Sequence, residues 1–245
     1  MLRRFRWLAL LFFLTAACTT GQRTTRTLVV GDGIAGDVQD VQSGCDYSYA
    51  QEHRRVGGGI GVRRTMAEGP VYGGHARIAS ARPVFNEEFP GSFDRRRYEI
   101  WGAGVMGGYY WDHAGFELGV SGMKSSLSEG VLPIGSLRLL FGAPGVAWFD
   151  LELGSQDPVY FTNIASIGAG MEGDGFRFRG GLTAYGVPID DSSPDGGLVL
   201  GSADDIFDSG AFLDGHIWNG RYGIVGGVVV GSNVMGRLGF SVALE

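Results

Sequence analysis

The chain has 245 residues, a net charge of −6, 19% charged residues and 44 glycines. That balance leaves no basic footprint for nucleic acid, and the glycine content argues against long helices, because each interior glycine weakens a helix by about 1 kcal/mol. No G-X-Y period is present, which excludes a collagen-like rod, and the only lysine is Lys124.

Residues 1–6 carry positive charge, 7–14 form an apolar run, and 15–17 are small. That order predicts a secretory signal over 1–17, since the apolar run falls short of the roughly 20 residues that cross a bilayer as a helix. Leu14-Thr-Ala-Ala-Cys18 resembles the lipobox of bacterial lipoproteins, with Thr15 where that pattern prefers a Leu-like side chain. The resemblance implies cleavage before Cys18 and acylation at Cys18 with fatty acids such as palmitate. Ordinary cleavage near Ala17, leaving Cys18 as a thiol, is the alternative. Cys45 is the only other cysteine. With Cys18 acylated it has no partner in the chain, so there is then neither a disulfide framework nor a CxxC metal or redox motif. With Cys18 left as a thiol, the two are free to form a disulfide in an oxidising compartment.

Residues 18–52 read as the lipidated cysteine and a polar tether with room for a first strand, and residues 53–245 as the barrel domain. From about residue 53 the dominant period is two, the signature of strands. Over 70–82 the apolar set is Tyr72, Ala76 and Ile78, opposite His75 and Arg77. Over 115–124, Phe116, Leu118 and Val120 oppose Glu117 and Ser121. Over 131–142, Leu137, Leu139 and Phe141 oppose Ser136 and Arg138, and over 145–153, Phe149 and Leu151 oppose Asp150 and Glu152. Over 175–186, Phe176, Phe178 and Leu182 oppose Arg177, Arg179 and Thr183. Over 235–244, Leu238, Phe240 and Val242 oppose Arg237 and Ser241. Segments 55–64, 98–111, 164–172, 210–218 and 221–231 keep the period with more glycine.

Short turns are predicted at 111–115, 142–145, 172–175 and Asn219-Gly220, the last a hairpin dipeptide whose residues both tolerate positive φ. Longer loops fall at 83–97, 125–130, 154–163 and 187–209. Short turns on one rim and long loops on the other are the layout of outer-membrane barrels. The expected fold is therefore all-β, an antiparallel up-and-down barrel of ten to twelve strands. A twelfth strand has three candidate sources, at 27–31, 46–53 or 196–201. Tyr109, Tyr110, Trp111, Phe116, Trp148, Trp218 and Tyr222 flank the short turns, where aromatic rings suit a membrane interface.

Periodicity alone does not say which face is wet. The sparse charge on the polar faces, against the ~25–35% expected of a soluble exterior, favours a barrel whose apolar face meets lipid. Parity then predicts one shared interior for Arg77, Glu117, Arg138, Asp150, Glu152, Arg177, Arg179, Asp214 and Arg237, charges that must pair if buried. A lipid-anchored soluble barrel or sandwich that binds a ligand or envelope partner is the alternative reading, since a lipid anchor is redundant on a chain that already spans a membrane.

No enzyme is expected. The four histidines, His53, His75, His113 and His216, show no metal spacing. The segments His75-Ala-Arg77 and His216-Ile-Trp218 lack the serine of the His-x-Ser pair found in outer-membrane lipid A deacylases, and G-x-S-x-G is absent. The acidic run Asp190, Asp191, Asp195, Asp204, Asp205 and Asp208 lacks EF-hand spacing and reads as a solvated loop. No cofactor or metal is expected. The expected partners are membrane lipid and other envelope proteins. The expected role is structural, surface display or small-solute passage in a bacterial outer membrane, with a lipid-modifying enzyme as a further alternative.

Overall fold

The computed structural model describes residues 25–44, 47–66, 68–83, 97–126, 130–161, 163–186, 207–231 and 234–244. The signal, Cys18, Cys45, the acidic residues Asp190 to Asp205 and the alternative strand at 196–201 lie outside the described residues.

The strands are β1 (Arg26–Gly44), β2 (Tyr47–Thr65), β3 (Gly69–Pro83), β4 (Tyr98–Tyr110), β5 (Ala114–Ser125) and β6 (Leu132–Ala143). They continue with β7 (Ala147–Leu153), β8 (Asn163–Gly173), β9 (Phe176–Gly186), β10 (Phe207–Asn219), β11 (Tyr222–Val230) and β12 (Val234–Leu244). Each pairs antiparallel with its sequence neighbours, and β1 pairs with β12 to close a twelve-strand barrel. Closure leaves no strand edge, so the backbone donors and acceptors of the wall are satisfied within the wall.

The barrel begins earlier than composition suggests. Residues 26–44 and 47–52, read above as tether with room for a first strand, form β1 and the first part of β2. Of the candidate twelfth strands, 27–31 is the one realised, and 46–53 instead extends β2. Pairing of β1 with β12 ends at Asp37↔Val234, and pairing of β2 with β3 ends at His53↔Pro83. Beyond those points β1 and β2 pair only with each other, so their hairpin projects past the wall on the long-loop side.

Pleating sends alternate residues to opposite faces, and the apolar set faces out. Leu238 is 68% exposed and Phe240 73% exposed, and Val105, Leu118, Phe149, Leu151 and Leu182 are exposed with them. Glu117 is 0% exposed, and Arg77, Arg138, Asp150 and Glu152 are buried. The outer surface of the wall thus carries an apolar belt, and the charges at alternate positions of β5–β9 face the lumen.

Two local expectations need correction. Asn219 is the last residue of β10 and pairs with Tyr222, so the turn is centred on Gly220 and Arg221. Gly220 takes φ 59° while no non-glycine described residue has positive φ. One positive φ at the first central position matches a turn with glycine leading, one residue later than the Asn-Gly dipeptide implied. The aromatics beside the short turns also divide by parity. Tyr109, Trp111 and Tyr222 are exposed, whereas Tyr110 and Trp148 are buried in the lumen.

Candidate functional site

The lumen is organised by cross-strand register. Glu117 on β5 is opposite Arg138 on β6, and Arg138 is opposite Glu152 on β7. A second row joins Arg237 on β12, Gly227 on β11, Asp214 on β10, Arg179 on β9, Gly170 on β8 and Trp148 on β7. Glycine alternates with bulk in this row for a steric reason. A Cβ at Gly170 would collide with the Trp148 indole, and one at Gly227 with the Asp214 carboxylate.

Buried carboxylates act as shared acceptors. Glu117 accepts from Arg63 Nη2 at 2.5 Å, from Gln156 Nε2 at 2.9 Å and from the Tyr110 hydroxyl, with Arg138 Nη1 at 3.8 Å. Asp150 accepts from Arg138 Nη2 at 2.9 Å, Arg179 Nη2 at 2.5 Å and Trp148 Nε1 at 3.0 Å. Arg179 Nη2 also donates to Glu152 at 2.9 Å. Asp32 lies 2.6 Å from Arg77 Nη1 and 3.3 Å from Arg237 Nε. Arg177 meets Glu172 at 3.6 Å and stacks over Trp148 at 4.7 Å. Charges withdrawn from water cost several kcal/mol each unless paired and hydrogen-bonded, and this network supplies those partners.

The structure brings together every charge that parity assigned to the interior, and it adds Asp32, Arg55, Arg63, Asp157 and Glu172. Asp32 and Arg63 were missed because the glycines of β1 and β2 blur the alternation there. Asp157 was missed because it belongs to no strand.

That residue belongs to the largest departure from expectation. The connection between β7 and β8, read as an external loop, turns into the lumen instead. It leaves β7 at Gly154, which takes φ 74°, and rejoins β8 at a register irregularity between Asn163 and Ala165. Its turn is closed by Phe161 N donating to Asp157 O at 3.0 Å and by Ser155 Oγ donating to Phe161 O at 2.6 Å. The wall holds it by polar contacts: Arg55 Nη1 to Val159 O at 3.1 Å, Ser121 Oγ to Gln156 O at 2.9 Å and Arg77 Nε to Asp157 Oδ2 at 2.9 Å.

Apolar packing adds to these contacts. Val159, Tyr160 and Phe161 are buried in one cluster with Ile34, Ile100, Met123, Phe212, Val229 and Met235, which come from walls on opposite sides of the barrel. Each such burial contributes roughly 1.5–3 kcal/mol. Gly102 makes room for the loop, because a Cβ there would collide with Val159 Cγ2. The signal in the sequence was the apolar triplet Val159-Tyr160-Phe161 inside a supposed loop.

Between this loop and the short-turn rim lies a chamber of about 310 Å³. Its roof includes Tyr160 and Phe161, and its mouth includes Arg26, Thr65, Glu172 and Trp218. Near the mouth, His216 Nε2 lies 2.7 Å from Ser241 Oγ, a contact hidden by a sequence separation of 25. Elsewhere, His53 is buried edge-to-face on Tyr98, His75 is 3.9 Å from Asp157, and His113 is exposed in its turn. Among the described residues no group of three or more His, Cys, Asp or Glu side chains is placed to hold a metal ion.

No protein-family model matches the sequence, and no curated protein matches it. Among solved structures, the translocator domain of the autotransporter NalP from Neisseria meningitidis aligns with 98% of this chain and 95% of that one, at 9% identity and a TM-score of 0.43. CdiB from Acinetobacter baumannii aligns with 89% of this chain and 60% of that one, at 9% identity and a TM-score of 0.34. OmpF of Salmonella typhi, in complex with daunomycin, aligns with 89% and 97%, at 10% identity and a TM-score of 0.29. The barrel assignment rests on the strand pairing of this chain itself.

Proposed function

We propose that this chain is a lipid-anchored β-barrel of a bacterial outer membrane, closed at mid-lumen, that serves as an anchor or display scaffold and not as an open pore. One observation carries the reading: the exposed large side chains of the wall are apolar, while the buried charges and their ion pairs face in. Soluble monomers rarely expose apolar patches beyond a few hundred Å², and lipid removes that cost. Closed barrels are the strand architecture that a bilayer tolerates. The inward β7–β8 loop supports occlusion, because its apolar cluster bridges opposite walls.

The lipid anchor fits the same geometry. The wall starts at Arg26 on the short-turn rim, the periplasmic rim in this layout. Residues 19–25 reach at most about 25 Å when extended, so an acyl chain on Cys18 enters the leaflet next to that rim. The opposite rim, with its projecting β1–β2 hairpin, is the surface open to other envelope proteins. Catalysis is not part of this reading. No carboxylate among the described residues is hydrogen-bonded to His216, and the Ser241 contact is taken as structural.

Cell fractionation and heat-modifiable gel migration test the placement, planar-bilayer recording tests the occlusion, and Cys18→Ser tests the anchor. We expect outer-membrane recovery, a fast-migrating unheated form, no stable conductance, and loss of lipid mass in the variant. Release of the delipidated chain into a soluble fraction would overturn the membrane reading, and steady open-pore conductance would overturn the scaffold role. Ester hydrolysis lost in Ser241→Ala would make the protein an enzyme.

A further inference from the structure

The chamber beneath the β7–β8 loop has two unlike walls. Leu28 and Val30 of β1, Phe212 of β10, and Val225 and Val229 of β11 supply an apolar side, into which Asp214, His216 and Arg237 also project. The side built by β2 and β6–β9 carries Arg63, Arg138, Arg177 and Arg179 with Glu152 and Glu172. Its volume of about 310 Å³ stands at the small end of ligand pockets.

Along the chamber the arginines outnumber the acids: Arg26, Arg63, Arg138, Arg177, Arg179 and Arg237 line it against Glu152, Asp157, Glu172 and Asp214. The side chains of Glu117 and Asp150 are 0% exposed, behind the chamber surface. Those of Arg63 and Arg237 are 30% and 24% exposed, and Arg177 and Arg179 are partly exposed with them. The acids are also shared, Glu117 by Arg63 and Arg138, and Asp150 by Arg138 and Arg179. A guanidinium has five donors and a carboxylate roughly four lone-pair sites, so donors remain unspent on the chamber side. Glu152, Glu172, Asp157 and Asp214 are the carboxylates that do reach the chamber; Glu152 is held by Arg179, Glu172 sits near Arg177 and Asp157 near Arg77.

The mouth continues the pattern. Arg177 is paired across the sheet with His216, whose ring stacks on Trp218 at 4.7 Å, and Arg26 lies over the Trp218 ring at 4.5 Å. Arg177 is the least committed of these cations, held by its 3.6 Å contact with Glu172 and by Trp148.

We propose that this chamber binds a small amphipathic organic anion, with its apolar body against Leu28, Phe212 and Val229 and its carboxylate at Arg177 and Arg237. Entry is from the short-turn rim, since the inward loop closes the other end. Charge-assisted bonds from guanidinium to carboxylate supply orientation, and the apolar wall supplies the rest of the affinity.

The test uses the full barrel in phosphatidylcholine nanodiscs, with empty nanodiscs as the blank and calorimetry as the readout. The probes are naphthalene-2-carboxylate, its neutral counterpart 2-naphthylmethanol, and inorganic phosphate. Saturable binding of the carboxylate is expected, with at least about tenfold weaker binding of the alcohol and of phosphate. Arg177→Gln and Arg237→Gln should each weaken the carboxylate while leaving the alcohol unchanged. Should either variant fail to show the heat-modifiable form, the wild type in rising sodium chloride replaces it, and carboxylate affinity should fall with salt while that of the alcohol does not. Equal binding of carboxylate and alcohol, equal binding of phosphate, or no saturable binding would each overturn the proposal.

Discussion

The two halves of the lumen solve the same problem differently. Toward the short-turn rim, wall side chains meet across the barrel through shared acids such as Glu117 and Asp150 and leave a chamber. Toward the long-loop rim, the wall carries small or apolar residues such as Ala79, Ala81 and Ile100, and a segment of chain fills the space. The comparison teaches that lumen volume sets the method. About eight strands give an interior that side chains alone can fill. Twelve strands give more, and either long charged side chains or an inserted loop must take up the difference.

The sharpest way to break this comparison is to remove the insert. Replacing residues 155–161 by a short Gly-Ser linker should leave a folded, heat-modifiable barrel and turn a silent protein into a conducting one in planar bilayers. A variant that folds yet stays closed would mean that the ion-paired half occludes the lumen by itself.

The next largest effect belongs to the other half. Glu117→Ala strands Arg63 in the lumen, and Asp150→Ala takes the closest acid from both Arg138 and Arg179, leaving Arg179 only Glu152. Each should destabilise by about 3–5 kcal/mol, as for breaking a buried pair, measured by urea unfolding in detergent. A change below about 1 kcal/mol would mean that water solvates these groups.

A smaller effect sharpens the account of how the loop is seated. Gly102→Val crowds Val159, and overpacking of this kind costs about 1–3 kcal/mol. The same denaturation should show it, and deleting the loop should abolish the penalty. Smallest of all is Arg54→Ala. The Arg54–Asp37 pair, at 2.9 Å, is solvent-exposed, so its loss should change stability by less than about 1 kcal/mol. If Arg54→Ala matched Glu117→Ala, burial would not be what separates lumen from exterior.

Much of the barrel is legible from sequence because pleating is local. On each strand the alternation of residues such as Leu137, Arg138 and Leu139 decides which side chains travel together, whatever the rest of the chain does. That logic reached the class, the antiparallel order and the company kept by the charges. It failed where alternation is diluted, in β1 and β2, whose glycines hid Asp32 and Arg63. It also misjudged aromatic neighbours, since proximity to a turn does not fix facing: Tyr109 faces out and Tyr110 faces in.

By itself, then, the sequence determined an all-β chain with one apolar and one charged face, because period two is a property of a single strand. Tertiary structure alone decided that 154–161 turns inward, that His216 meets Ser241, and that the lumen holds an inserted loop toward one end and a chamber toward the other. Those features depend on a volume that exists only once β1 and β12 have joined, and no strand read alone contains it.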